Sequence, residues 1–249
     1  MPDLTFFLYA VPAVVLIGLA KGGFSGLGAL GTPLMALGMD DPVRAAAILL
    51  PILIAQDVVG VAAFRKSWDG GVLVAMLPGA IVGIVLGYLL AAKVSSEAVM
   101  AVLGAVTILF GVYRLWVERG GRIAASSNSP AWVGSLFGVA TGFTSQIAHA
   151  GGPPFQMWFM PKKLPRDTFV GTSAIFFAII NWIKVPAFVA LGEFNLANLI
   201  ASAVMLPIAV LASLAGIKLV RRVSMERFYT IIYVLMVVAG AKLLFDGIV

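Results

Sequence analysis

Two glycine-rich stretches hold most of the neutral polar side chains that could bind a ligand. The first runs from Lys21 to Pro33 and contains Gly23-Phe24-Ser25, then Gly31-Thr32-Pro33. The second runs from Thr141 to Pro154 and contains Gly142-Phe143-Thr144-Ser145-Gln146, then His149, then Gly151-Gly152-Pro153-Pro154. Hydroxyl, amide and imidazole groups donate hydrogen bonds without a fixed charge. Such donors suit the oxygens of a small oxyanion and can also let it go. A helix that restarts at Pro33, or at Pro153-Pro154, adds free N–H groups and the positive end of its dipole. Gly23, Phe24, Ser25, Thr32, Gly142, Phe143, Thr144, Ser145, Gln146 and His149 are therefore the substrate-binding candidates. The plainer alternative is that the small residues only allow helices to pack closely.

Ionisable groups supply a second set of candidates. Lys21, Asp57 and Lys184 lie within apolar segments, where a charge costs roughly 2.5–3.5 kcal/mol at the bilayer centre. Lys21 abuts the first stretch, and Asp57 can pair with it or take up a coupling ion. His149 is the only histidine, and its ordinary pKa near 6.5 makes it a proton acceptor at accessible pH. Asp57, His149 and Lys21 are the ion-coupling candidates, for a proton or sodium. Lys184 is expected to snorkel to the nearer interface as readily as to touch a ligand. Phe24, Phe143, Trp158 and Trp182 could line a cavity, though packing or an interfacial belt is the commoner use.

These residues need a scaffold, and composition says which kind. The 249 residues are 61% hydrophobic and 11% charged, with a mean hydropathy of +1.05. Soluble domains carry about 25% charged residues, so the chain reads as an integral membrane protein. Its apolar blocks have the length of membrane helices and lack the alternation of a membrane barrel. The fold class is all-α and polytopic, with the lipid bilayer as a partner. The net charge of +6 reads as loops that fix orientation in the membrane, not as a nucleic-acid surface. There is no cysteine, hence no disulfide or thiolate chemistry. The first block has no basic n-region before it and is expected to stay in the mature protein. No phosphate-binding loop, paired-histidine zinc motif or serine-histidine-aspartate set is recognisable, so neither an enzyme, a metal site nor a cofactor is expected.

The chain falls into two related halves. Residues 1–117 form a first repeat, 118–130 a polar linker, and 131–249 a second repeat. An offset of 129 places Met76-Leu77-Pro78 on Met205-Leu206-Pro207, Val94-Ser95 on Val223-Ser224 and Glu97 on Glu226. It also brings Gln56-Asp57 close to Asn181, so Gln56 and Asn181 join the substrate-binding candidates as facing pocket walls. Each half holds one apolar segment broken by a glycine-rich stretch, then three unbroken ones. Asp41-Pro42 reads as a helix N-cap followed by a first-turn proline, opening a helix that runs to about Phe64. Gly79, Gly83 and Gly87 make a flat face, for packing within the chain or for a homodimer.

The basic residues indicate how the halves point. If each broken segment crosses the membrane once, the Lys and Arg residues near the loops divide nine against five. If each is a hairpin that enters and leaves on one face, they divide twelve against two, leaving only Arg44 and Lys93 on the sparse side. The second division is the one the positive-inside rule expects. It makes the halves inverted repeats, each a re-entrant hairpin plus three transmembrane helices. Interrupted segments at matching places in two halves point to a transporter's binding site.

A doubled glycine-rich Gly-Phe break followed by glycine and proline, in a chain of this size, resembles the sulfite exporter TauE/SafE family over nearly its whole length. The resemblance implies a bacterial inner-membrane protein that moves sulfite, a sulfonate or a related small organosulfur anion, usually outward. The second stretch departs from the family's glycine-rich habit at Gln146, Ala148 and His149, which suggests a more polar pocket. An alternating-access secondary transporter is the leading expectation. An anion channel, or a transporter of another small anion such as a carboxylate, is the alternative.

Overall fold

The structure is a computed structural model that describes residues 4–21, 27–39, 41–121, 128–219 and 226–249. Among these residues there is helix and no strand. Helix α1 spans Leu4–Lys21, and after residues 22–26 a 3-10 turn, Leu27–Leu30, leads into α2, Gly31–Leu37. Three long helices follow: α3 Pro42–Phe64, α4 Gly70–Lys93 and α5 Ser96–Glu118. The second half repeats the pattern with α6 Ala131–Ala148, α7 Gly152–Phe159, α8 Arg166–Ala190, α9 Leu196–Leu219 and α10 Glu226–Asp246. Six of these, α1, α3, α4, α5, α8 and α9, are long and apolar enough to cross a membrane, counted among the described residues. The chain is an all-α polytopic membrane protein.

The helix starts follow from local side chains. Asp41 accepts hydrogen bonds from the N–H groups of Val43 and Arg44, with Pro42 at the first helical position, so α3 begins where its sequence signals it. Ser95 caps α5 through the Ala98 N–H. Helix α4 starts at Gly70, because Asp69 caps it through the Val72 N–H. A loop aspartate thus set a boundary that the apolar run did not show.

Both broken segments fold back on themselves. Gly28 lies against Ala20, Gly31 against Ile17 and Gly38 against Tyr9, so α2 descends beside α1 in the opposite sense. Gly134 lies against Trp158 and Gly151 against Thr141, which makes α6 and α7 a second such hairpin. The second break is shorter than its sequence suggested. Helix α6 runs unbroken through Thr141 to Ala148, and only His149, Ala150 and Gly151 interrupt the segment. Gly142 does not loosen this helix. A Cβ there would sit 2.0 Å from the Ala80 carbonyl oxygen, so the glycine is needed for the close approach of α4.

That α4–α6 seam is the most extensive helix contact in the molecule. Gly79 faces the Ser135 carbonyl and Gly83 the Val139 carbonyl, while Gly138 and Gly142 face Met76 and Ala80. The Gly79-Gly83-Gly87 face is therefore consumed inside the chain, and it is not a surface left open for a dimer. Helix α9 packs on α1, α8 on α3 and α10 on α5. Positions 129 apart share their environments: Met76 and Met205 are buried, as are Ala80 and Ala209. Contacts between Gly60 and Ala174, Gly171 and Ser67, and Asp57 and Asn181 run α3 antiparallel to α8. Gly111 against Tyr233 and Gly104 against Leu244 do the same for α5 and α10.

Candidate functional site

The end of α1 is fixed by charge. Lys21 ion-pairs with Asp57 of α3, and the second Asp57 oxygen accepts a hydrogen bond from Asn181 Nδ2 at 2.5 Å. Asp57 is 2% exposed, so both its oxygens must find donors inside the protein, and both do. One carboxylate thereby ties α1, α3 and α8 together. The Lys21 ammonium also lies 5.8 Å from the centre of the Phe177 ring.

The second break is built around His149. Its backbone is left-handed (φ 50°, ψ 23°), and it ends α6 as a helix cap. The His149 N–H reaches the Ser145 carbonyl, the single bond of an αL cap, and the Ala150 N–H reaches back to the Thr144 carbonyl. A non-glycine residue in this conformation is strained, by about 1 kcal/mol or more. The imidazole is held on both sides. Nε2 is 2.8 Å from the Ala46 carbonyl oxygen, which only a protonated nitrogen can satisfy, and Nδ1 is 2.7 Å from Lys184 Nζ.

Lys184 does not snorkel. It is fully buried, and its ammonium meets Ser145 O at 3.2 Å, Ser145 Oγ at 3.1 Å and His149 Nδ1. The crossing of α8 over the end of α6 holds it there, where the carbonyl end of α6 favours a cation. The signal for it was available: Ser173, Phe177, Asn181 and Lys184 recur at helical spacing along one face of α8.

Between these two clusters lies a cavity of about 130 Å³. Its polar wall consists of Lys21, Asp57, Ser145, His149, Gln156, Ser173 and Asn181. Ile17, Ala20, Leu53, Phe169, Val170, Ala174 and Phe177 make its apolar wall, and Gly28, Ala29, Ala150, Gly152 and Pro153 bring both breaks to it. That volume holds a few water-sized groups and hence a small anion. Gln156 gave no sign of this role in the sequence, whereas Ser173 shares the α8 stripe with Asn181 and Lys184. On α3 the wall uses residues 53, 57 and 60, and on α8 residues 169–181, the halves nearer Phe64 and Arg166. The cavity therefore sits towards the end of the bundle that carries Arg65, Lys66, Lys162 and Lys163.

Several sequence candidates are placed elsewhere. Gly23, Phe24 and Ser25 lie outside the described residues. Thr32 is buried within the first hairpin and is not part of the cavity wall. Gln56 points away from it and donates to the carbonyls of Val14 and Ala209. The Thr144 hydroxyl bonds back to the Ala140 carbonyl of its own helix, and Phe143 packs on the larger apolar core. Gln146 lines a separate, very small hollow with Phe188 and Leu191. Helix periodicity explains the split: once α6 continues to Ala148, residues 142–146 point in all directions and only Ser145 faces the cavity. Trp158 is buried, and Trp182 is 63% exposed on the outside of the bundle.

The helix starts at the breaks are also less open than expected. The turn at residues 27–30 feeds α2 directly, with Leu30 already helical, so Pro33 lies in the third position of a continuing coil. At α7, Pro153 and Pro154 have no N–H, which leaves Gly151 and Gly152 as the backbone donors.

The opposite end of α3 is tied shut. Arg44 Nε donates to Asn198 Oδ1 at 2.9 Å, and Asn198 Nδ2 donates to the Glu193 carbonyl and to Glu193 Oε2, each at 2.9 Å. Burial and the nearby Asp41 carboxylate raise the Glu193 pKa above the usual carboxylate value, against the bond from Asn198 and the charge of Arg44. Ser202 Oγ donates to the Ile48 carbonyl one turn deeper, at 2.7 Å.

No curated protein and no solved structure matches the chain significantly. The family model described as "Sulfite exporter TauE/SafE" matches residues 10–243. That span runs from within α1 to the last turn of α10 and takes in both breaks. The chain is a multi-pass membrane protein that belongs to the sulfite exporter TauE/SafE family of membrane transporters.

Proposed function

We propose that the protein is a secondary transporter that exports a small organosulfur anion, sulfite, a sulfonate or a similar ion, across the inner membrane. The cavity between the two breaks is its binding site, and Lys21, Ser145 and Asn181 are its principal polar contacts. The observation that carries this reading is convergence. Residues from both interrupted hairpins and from the crossing helices α3 and α8 surround one small hollow. A hollow of this kind, at the meeting of two repeats and lined by broken helices, is where secondary transporters hold substrate.

The two halves work as inverted repeats, residues 1–117 and 131–249 joined by 118–130. The antiparallel course of α3 with α8, and of α5 with α10, supports this. With the basic end in the cytoplasm, the cavity is open to the inside and the Arg44–Asn198–Glu193 cluster seals the outside. Alternating access then requires that cluster to part while the cavity's own end closes. A proton is the coupling ion this geometry accommodates best. Protonating Asp57 discharges its pair with Lys21 and frees the end of α1. Counterflow of labelled sulfite or methanesulfonate in proteoliposomes tests the reading. Saturable exchange that Ser145→Ala weakens is the expected result, and flux without exchange would make the protein a channel instead.

A further inference from the structure

Four ionisable groups surround the inner end of the cavity: Lys21 from α1, Asp57 from α3, His149 at the end of α6 and Lys184 from α8. The segment 22–26 adds none, since it reads Gly-Gly-Phe-Ser-Gly. Lys21 and Asp57 cancel each other as an ion pair. With Lys184 charged, His149 is neutral, because Nδ1 then accepts from Lys184 while Nε2 donates to a carbonyl. Lys184 is different. Among the described residues no carboxylate forms an ion pair with it.

Its surroundings nevertheless suit the charged form. An ammonium has three N–H bonds, and three acceptors are in place: Ser145 O, Ser145 Oγ and His149 Nδ1. All three are neutral. They satisfy the hydrogen bonds and leave the charge uncompensated. Two of the residues that hold it, Ser145 and His149, form part of the cavity wall. Ser145 Oγ accepts from Lys184, so its own proton is available to a ligand.

We propose that Lys184 makes the cavity selective for a singly charged anion, by leaving the site with one positive charge in excess of neutrality. The inference rests on the anion site of the preceding section and adds its charge rule. A monoanion completes the balance. A dianion leaves one negative charge buried without a partner, and an uncharged ligand of the same shape leaves Lys184 as it was; both are penalised in a low-dielectric site. Lys184 does this from behind Ser145 and His149 and is not in the cavity wall, so it sets specificity without touching the ligand.

The test uses three small molecules of similar shape, titrated calorimetrically into the purified full-length protein. Methanesulfonate carries one charge at every working pH. Methylphosphonate goes from one charge to two as pH rises through neutrality. Dimethyl sulfone carries none. The wild-type protein should bind methanesulfonate at least roughly tenfold more tightly than dimethyl sulfone. Its affinity for methylphosphonate, relative to methanesulfonate at the same pH, should fall roughly tenfold or more as the second proton leaves. In Lys184→Met the affinity for methanesulfonate should fall by a similar factor, while that for dimethyl sulfone does not fall.

Equal or tighter binding of doubly charged methylphosphonate overturns the proposal, and this comparison needs no variant. So does a folded Lys184→Met protein that keeps its methanesulfonate affinity, or one that loses all ligands alike, which would mark a purely structural lysine. If none of the three binds at any pH, the anion site itself falls, and the charge rule with it.

Discussion

Gly142→Ala separates a packing role from a ligand role at a residue whose sequence context suggested ligand contact. The added Cβ would stand 2.0 Å from the Ala80 carbonyl oxygen, 2.7 Å from its carbon and 2.8 Å from its Cα. All three are backbone atoms, so no side chain can turn aside. Real contacts of this kind stay beyond 3.0 Å, so α4 and α6 must part by at least 1 Å at this point. Overpacking costs about 1–3 kcal/mol where a core can adjust, and a rigid helix seam puts this case at the upper end. For a chain of this length that corresponds to a fall in Tm of roughly 4–12 °C. Gly138→Ala meets the Met76 carbonyl at 2.2 Å, one turn away on the same seam. One separation of the helices accommodates both methyl groups, so the double variant should cost less than the two single costs added. The assay is thermal unfolding in detergent, with and without a bound sulfur anion. The reasoning is refuted if Gly142→Ala melts with the wild type yet loses its stabilisation by ligand, since that would make Gly142 a contact and not a spacer.

Other expectations concern the charged and strained positions. Asp57→Asn leaves Lys21 without its counter-ion; breaking a buried pair costs about 3–5 kcal/mol, less here because Lys21 reaches the cavity, and thermal unfolding of Asp57→Asn against Asp57→Asn/Lys21→Met reads the rescue. His149→Gly should be more stable than His149→Ala by about 1 kcal/mol, because only glycine accepts φ 50° without strain; equal Tm values would contradict the cap geometry. Glu193→Gln should stabilise the protein at neutral pH. A carboxyl whose pKa is raised by folding imposes a penalty above that raised value, and the penalty fades as pH falls towards the unfolded value. The gain should stay below about 1 kcal/mol, because Glu193 is only part-buried and water screens it, and it should vanish in acid. Asn198→Ala removes the centre of the outer cluster and should make a cysteine placed at Ile48 react faster from outside; an unchanged rate would mean the cluster is not a seal.

Much of this architecture is legible in the residues. The Asp41-Pro42 helix start and the Met-Leu-Pro repeat each have one physical meaning, and the distribution of Lys and Arg anticipates hairpins. The cost of a lone buried charge made the Lys21–Asp57 pair one of two readings of Asp57, and the repeat brought Asn181 near it without showing the bond between them. What could not be read was direction. Gly142 signals freedom or closeness equally well, and only the partner helix decides between them. Thr144, Ser145 and Gln146 look alike in a polar run, but a continuous helix aims them at their own backbone, the cavity and a separate hollow in turn. Lys184 looked able to reach an interface, because nothing local shows that α6 ends beneath it and offers three acceptors.

The central claim is that the hollow between the two breaks binds the anion, and one labelling experiment reaches it directly. The chain has no cysteine, so Ser173→Cys puts a single reporter in the cavity wall, and Lys66→Cys puts one on an exposed loop as control. The rate of alkylation by iodoacetamide is measured with increasing methanesulfonate, sulfite or sulfate. Protection of Ser173→Cys by a sulfur anion, saturating with concentration and absent at Lys66→Cys, is the result expected. An accessible Ser173→Cys that alkylates at the same rate with and without every anion would contradict the account.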